Sequence, residues 1–134
     1  MAAAVTPIFP DTPIAAKASI TAAFTNRTTT GVGSLTLLHT AGADGTRLDR
    51  LAYKAEGTTA QAVLLLWLYS GSGDAKVWKE FTIDVTNVSG VTTKYFEFQF
   101  DFDRETLPAG WSLYVSQTAK AASNANVFLF GGDY

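Results

Sequence analysis

The chain has 134 residues, a formal net charge of −2 and no cysteine, a size that fits one domain able to bury about two-thirds of its unfolded surface. The missing thiols exclude a disulfide framework, a thiolate nucleophile and a Cys-based zinc site. Lys and Arg gather nowhere into the basic stripe that nucleic-acid binding requires, so nucleic acid is not an expected partner.

The opening MAAAVTPIFPDTP is interrupted by Pro7, Pro10 and Pro13 and has neither the basic leader nor the apolar core of a signal peptide, so synthesis in the cytoplasm is expected. Residues 1–14 are expected to form an extended arm, because proline favours extended backbone with few internal hydrogen bonds. The arm is either disordered, as termini commonly are, or laid along a neighbouring protein with Ile8 and Phe9 as anchors. The sequons at Asn26 and Asn87 are read as chance without a secretory signal.

From residue 15 to 134 the apolar residues recur with period two and no 3.6-residue stripe stands out, so one all-β domain is expected. Eight strands are predicted in chain order: 16–24, 33–40, 47–56, 61–69, 76–85, 93–102, 111–117 and 125–130. The SGSGDA stretch (70–75) turns the fourth into the fifth, and LPAG (107–110) turns the sixth into the seventh. Eight short strands suit an antiparallel jelly-roll β-sandwich, in which strands four and five, three and six, two and seven, and one and eight must pair. An immunoglobulin-like sandwich is the rival. The longest apolar run, Ala62 to Tyr69 (AVLLLWLY), is far below the roughly 20 residues of a membrane helix, so no membrane partner is expected.

Strand six, KYFEFQFDFD (94–103), alternates Phe96, Phe98, Phe100 and Phe102 with Glu97, Gln99, Asp101 and Asp103. Opposed residues of antiparallel neighbours have numbers of constant sum. A sum of 151 sets Arg50 against Asp101 and Lys54 against Glu97, with Ala52 facing Gln99, while Leu51, Tyr53, Phe98 and Phe100 turn inward. The acids therefore read as outward partners of bases, each pair contributing about 0.2 to 1 kcal/mol, and not as a catalytic or metal site. His39 is the sole histidine and sits in a strand, where a packed structural role is expected. The GADGT segment (42–46) offers one carboxylate, short of the oxygen cage calcium prefers, and reads as a turn. Asp101, Asp103 and Glu105 read as solvated acids and only secondarily as a weak cation site. With no Gly-x-Ser-x-Gly elbow and no phosphate-cradling Gly-x-x-x-x-Gly-Lys, no enzymatic activity, no cofactor and no metal are expected.

Strand four is apolar on both rows: Ala62, Leu64, Leu66 and Leu68 on one, Val63, Leu65, Trp67 and Tyr69 on the other. Sandwich strands ordinarily keep one row wet. If the Leu row meets Val77, Phe81 and Ile83 in the core, the second row lies outside with Trp78, a patch larger than a monomer usually leaves bare. Either the chain itself covers it or another polypeptide does, and Val63, Leu65, Trp67, Tyr69 and Trp78 are the candidate partner-binding residues, with Ile8 and Phe9 of the arm. Planar aromatics also suit sugar rings, which keeps a carbohydrate-binding module as the alternative.

The stretch AGADGTRLDRLAYKAEGTT (41–59) and the ending LPAGWSLYVS...NVFLFGGDY resemble jelly-roll cement, or decoration, proteins of tailed-bacteriophage capsids. Arg47, Arg50, Lys54 and Gly57 match in the first segment, and Gly131, Gly132 and the terminal aromatic in the last. The resemblance implies a structural virion protein on the capsid exterior, made in the host cytoplasm. It also implies a homodimer or homotrimer that binds across boundaries between major capsid proteins and stabilises the shell. A receptor-binding or carbohydrate-binding module of a phage tail or fibre is the nearest rival.

Overall fold

The computed structural model describes residues 12–89, 92–120 and 124–134; Ile8 and Phe9 lie outside the described residues. Eight strands follow one another, β1 (Thr12–Ile20), β2 (Thr36–Thr40), β3 (Thr46–Ala55), β4 (Ala62–Tyr69), β5 (Lys76–Ile83), β6 (Glu97–Leu107), β7 (Ser112–Gln117) and β8 (Ala125–Asp133). They form two four-stranded antiparallel sheets, ordered β1-β8-β3-β6 and β2-β7-β4-β5. The chain is an all-β sandwich, and the four pairs the predicted topology demands are present: β1 with β8, β2 with β7, β3 with β6 and β4 with β5.

β1 starts earlier than the period-two reading placed it. Pro13 and Ile14, assigned from sequence to the arm, pair with Gly132 and Gly131. Proline is tolerated there because β1 is an edge strand and Pro13 is its second residue. Residues 21–24 leave the sheet, with consequences described below.

The inward rows of the two sheets make the core. Leu51, Tyr53, Val127, Leu129 and Ile20 come from one sheet, Leu64, Leu66, Ile83, Leu113 and Val115 from the other, and all are essentially inaccessible. β5 and β6 are sheet edges on the same flank, and the Phe row of β6 closes that flank. Phe98 stacks on Tyr53 at 5.3 Å, Phe81 meets Phe100 edge-on at 5.1 Å, and Trp78 stacks on Phe102 at 5.7 Å. Such ring pairs add about 0.5–1.5 kcal/mol each beyond area burial. Lys79 caps the seam, its Nζ 4.4 Å from the Trp78 ring centroid and 3.5 Å from Glu105.

β3 and β6 pair with Arg50 opposite Asp101, Ala52 opposite Gln99 and Lys54 opposite Glu97, and the register then shifts between Leu48 and Arg50. Leu48 faces Glu105 while Arg50 faces Asp101, so Phe102, Asp103 and Arg104 together stand against Asp49. Asp103 and Arg104 take up the surplus length at positive φ, 55° and 59°, a conformation non-glycine residues rarely adopt. Across the other side of β3, the backbones close tightly: a Cβ at Gly131 would lie 2.0 Å from the Arg47 carbonyl oxygen. Gly131→Ala is therefore expected to cost about 3 kcal/mol or more, read as a drop in the denaturant midpoint with little change in slope.

One phenol is buried in the core. The Tyr53 hydroxyl donates to Gln117 Oε1 at 2.8 Å, and Gln117 Nε2 donates to the Ala119 carbonyl at 2.8 Å. Burial pushes the Tyr53 phenol up from 10.0 to about 12, the Gln117 bond acting weakly the other way. A raised folded-state value favours the neutral form, so its contribution is complete below pH 10 and disappears as pH rises toward 12. Alkaline titration of unfolding free energy should show a loss on the order of 2 kcal/mol from this group, and Tyr53→Phe should remove that part of the slope.

Candidate contact surfaces

The outer row of β4 does not stand open. Leu65 and Trp67 are fully buried in a second apolar cluster with Leu35 and Ala75, flanked by Phe24, Val32, Val63, Tyr69, Val77 and Tyr114. The connection between β1 and β2, residues 21–35, lies across this face as a roof. Phe24 meets the Trp67 ring edge-on at 6.0 Å, and the Trp67 indole donates to Ser116 Oγ at 2.8 Å. The Phe24 amide donates to the Gln117 carbonyl, the Ala75 amide to the Gly31 carbonyl at 2.8 Å, and the Gly31 amide to Asp74 Oδ1 at 2.7 Å. Outside, Arg27 pairs with Glu80 at 2.9 Å. Leu65 and Trp67 are thus corrected from an outward patch to the floor of a third layer, with Val63 half-buried at its margin.

Trp78 is also relocated. The β4–β5 register shifts between Leu66, opposite Lys79, and Trp67, opposite Val77, which leaves Trp78 as the extra residue of a β-bulge. An extra residue reverses the alternation beyond it. Val77 therefore joins the outer cluster, and Trp78 turns inward onto Phe102.

What remains uncovered on this face is its far end. Tyr69 and Tyr114, both half-buried, meet edge-on at 6.1 Å. Leu37, paired with Tyr114 across β2 and β7, is 49% exposed. Ser112 stands between Tyr69 and Thr40 in the ladders, and the Ser112 and Thr40 hydroxyls are 2.9 Å apart. The same end of the sandwich holds the start of β1 at Thr12, paired with Asp133. Here a polar tie joins the sheets: Thr46 Oγ1, wholly buried, donates to Asp133, and His39 Nε2 lies 3.1 Å from Thr46 Oγ1 and 3.5 Å from Asp133 Oδ1. Thr46 has no exposed surface on which to meet a substrate, so the trio fastens β2, β3 and β8 together. Among the described residues, no three His, Cys, Asp or Glu side chains gather so that they could hold a metal ion.

The other sheet carries an aromatic pair that sequence reasoning passed over. In β8, Val127 and Leu129 point into the core, while Phe128 and Phe130 stand half-exposed on the outer face. The signal was present, since VFLF (127–130) is apolar on both rows, a shorter version of AVLLLWLY. The Arg50 guanidinium lies over Phe130, 4.6 Å from the ring centroid. Although Arg50 and Asp101 are opposed in the ladder, no ion pair joins them among the described residues. Lys54 reaches Glu97 at 3.5 Å, and Lys94 reaches it at 2.9 Å. The Lys94 hydrogen bond, followed by the charge of Lys54, holds the Glu97 carboxyl below its ordinary range.

A shallow, open depression of about 460 Å³ lies on the roof, lined by Phe24, Asn26, Thr28, Thr29 and Thr30. No protein-family model matches the chain, and no curated protein matches it.

Leu65→Ala should cost about 2–5 kcal/mol by emptying a closed site, whereas Leu37→Ala should stay within about 0.5 kcal/mol; paired urea melts check the contrast. Asp74→Ala leaves the Gly31 amide without its acceptor, about 1 kcal/mol, and amide hydrogen exchange should rise in residues 21–35 while β4 keeps its protection.

Proposed function

We propose that the chain is a structural virion protein that binds the outer surface of a tailed-phage capsid and stabilises contacts between major capsid proteins. Sequence resemblance supplies the capsid, and the distribution of surface supports an adhesive role. The observation that carries this reading is that one end of the sandwich combines the Leu37–Tyr69–Tyr114 cluster with the point where the chain enters β1 at Thr12. Aromatic and aliphatic side chains with hydroxyl groups beside them are what protein contact sites use as anchors. Ile8 and Phe9 precede Thr12 in the sequence. The His39–Thr46–Asp133 tie beneath stiffens it, and a rigid adhesive surface loses little entropy on docking. Many copies on a shell would add modest contacts into a large total.

Heating expanded empty shells of the parental phage with and without the protein tests this. The shell melting temperature should rise with the native chain, and the Tyr69→Ser/Tyr114→Ser variant should lose most of the rise while still melting cooperatively on its own above the shell's own transition. Equal protection by both proteins would remove the cluster from the interface. No protection by either would remove the capsid reading.

Carbohydrate binding is the second reading, favoured by the hydroxyl and amide groups of Asn26, Thr28, Thr29 and Thr30 around Phe24. Glycan-array binding that is lost in Asn26→Ala and kept in Tyr114→Ser would support it over the first.

A further inference from the structure

The roof and the strand beneath it are held by unequal means. β4 is hydrogen-bonded on both sides, to β5 and to β7. Residues 21–35 belong to no ladder, and of these residues only Leu35 is buried. Phe24 and Val32 reach the floor but stay half-exposed, and the open depression beside Phe24 leaves residues 24–30 a thin layer. Among the described residues, the backbone ties from this segment to the sheet run from the Phe24 amide to Gln117, from the Gly31 amide to Asp74 and from the Ala75 amide to the Gly31 carbonyl. The Arg27–Glu80 pair outside them is exposed. A segment with few buried apolar contacts and hydrogen bonds near solvent opens at a lower free energy than the whole fold.

The ends of the roof need not move for it to open. Ile20, 1% exposed, closes β1, and Thr36 begins β2, so both anchors belong to the sheets. Lifting the segment between fixed ends adds no new loop to close and returns backbone freedom to the residues released. What it uncovers is specific. Leu65, Trp67 and Tyr69 follow one another along the outer row of β4, and Trp67 is paired with Tyr114 of β7. The covered floor and the open Tyr69–Tyr114 pair are therefore one apolar strip, and the roof hides part of it.

We infer that residues 21–35 are an autoinhibitory cover that lifts from β4 as a unit while both sheets stay folded, lengthening the contact strip from Tyr69 through Trp67 to Leu65. In the closed state the strip stops where Phe24 meets Trp67. In the lifted state Trp67 keeps its indole hydrogen bond to Ser116, because both residues lie on strands that remain paired, and the uncovered ring stays oriented. The closed cover keeps a large apolar patch out of water in the free chain. A partner that takes hold of more of the strip in the lifted state shifts the population toward it. The lifting is a property of the isolated chain; the use of the lengthened strip rests on the capsid reading.

The chain has no cysteine, so one introduced thiol reports on its own site. Native-state labelling with dithiobis(nitrobenzoate) over a series of low urea concentrations tests the cover. Ala75→Cys sets the thiol beneath the roof, in the cluster with Leu65 and Trp67, and Val115→Cys sets it in the core between the sheets. The thiol at residue 75 should react roughly a hundredfold faster than the one at residue 115, with a shallower urea dependence because its opening exposes less surface. Phe24→Ser added to Ala75→Cys should speed labelling about tenfold without steepening that dependence. Thermal melts establish that each variant folds, and hydrogen exchange on the unaltered chain needs no variant: the Phe24, Gly31 and Ala75 amides should share one protection factor, below that of β4. Equal labelling at both sites with the slope of global unfolding would show that the roof leaves only with the sandwich. Labelling at residue 75 as fast as in the urea-unfolded chain would show that nothing is covered. A rate indifferent to Phe24→Ser, or three amides with unrelated protection, would assign the exposure to separate loop motions. Each of these results overturns the inference. A cover that behaves as described on a chain that fails to protect shells would leave the inference standing and sink only the capsid reading.

Discussion

A β-strand that is dry on both faces cannot be part of an outer layer unless a third layer covers it, and this fold is organised around that constraint. β4 sits second from the edge of its sheet with Leu64 and Leu66 on the core side and Leu65 and Trp67 on the other. Leaving the second pair in water would forfeit roughly 1.5–3 kcal/mol per side chain. The chain answers with residues 21–35, which spend no hydrogen bonds on a strand ladder and instead lay Phe24, Val32 and Leu35 onto the row. Because that segment has no ladder of its own, its backbone groups borrow partners from Asp74, Ala75 and Gln117. The roof ends before Tyr69, Tyr114 and Leu37, which with the half-buried Val63 and Val77 at its margins are apolar side chains of that face that solvent still reaches.

How much of this could be read in the sequence follows from the range over which each signal acts. The β3–β6 register was legible because two charge pairs and two apolar rows had to agree at once, and the observed ladder has the same constant sum from Arg50 to Lys54. It stopped being legible at Asp49, since the loss of register there depends on Asp103 and Arg104 accepting positive φ, which neither residue type announces. Trp78 was misplaced for a similar reason. Alternation along KVWKEFTI predicts that Val77 and Trp78 lie on opposite faces, which they do, but the bulge exchanges which face is which. The cover over Trp67 was foreseen only in outline: period two placed Phe24 at the end of strand one and Leu35 in strand two, whereas both lie outside the strands and pack onto the outer row of β4, and the TNRTTTGV between them reads as polar loop. Phe128 and Phe130 were missed although the same doubly apolar criterion that singled out β4 applies to them.

The polar residues near the sandwich end illustrate why composition alone cannot assign chemistry. A threonine, a histidine and an aspartate come within hydrogen-bonding reach, a set that on an open cleft would invite a nucleophilic reading. Here the hydroxyl is wholly enclosed, and its proton already has an acceptor in Asp133. Gly42 approaches the same carboxylate, with a hypothetical Cβ 3.5 Å from it, so the surrounding chain is packed around the tie. Buried polar groups satisfied in this way fix how two sheets meet where a purely apolar seam would allow them to slide.

The acidic half of the β6 comb is divided between two arrangements. Glu97 is shared by Lys54 and Lys94, yet Asp101, opposite Arg50 in the ladder, is left without that partner because the guanidinium prefers the Phe130 face. Satisfying Asp101 inside the monomer would uncover the ring, and covering the ring leaves the carboxylate free at the margin. The two arrangements compete for one cation. In the arrangement adopted the guanidinium stays on the ring, and no ion pair joins Asp101 among the described residues.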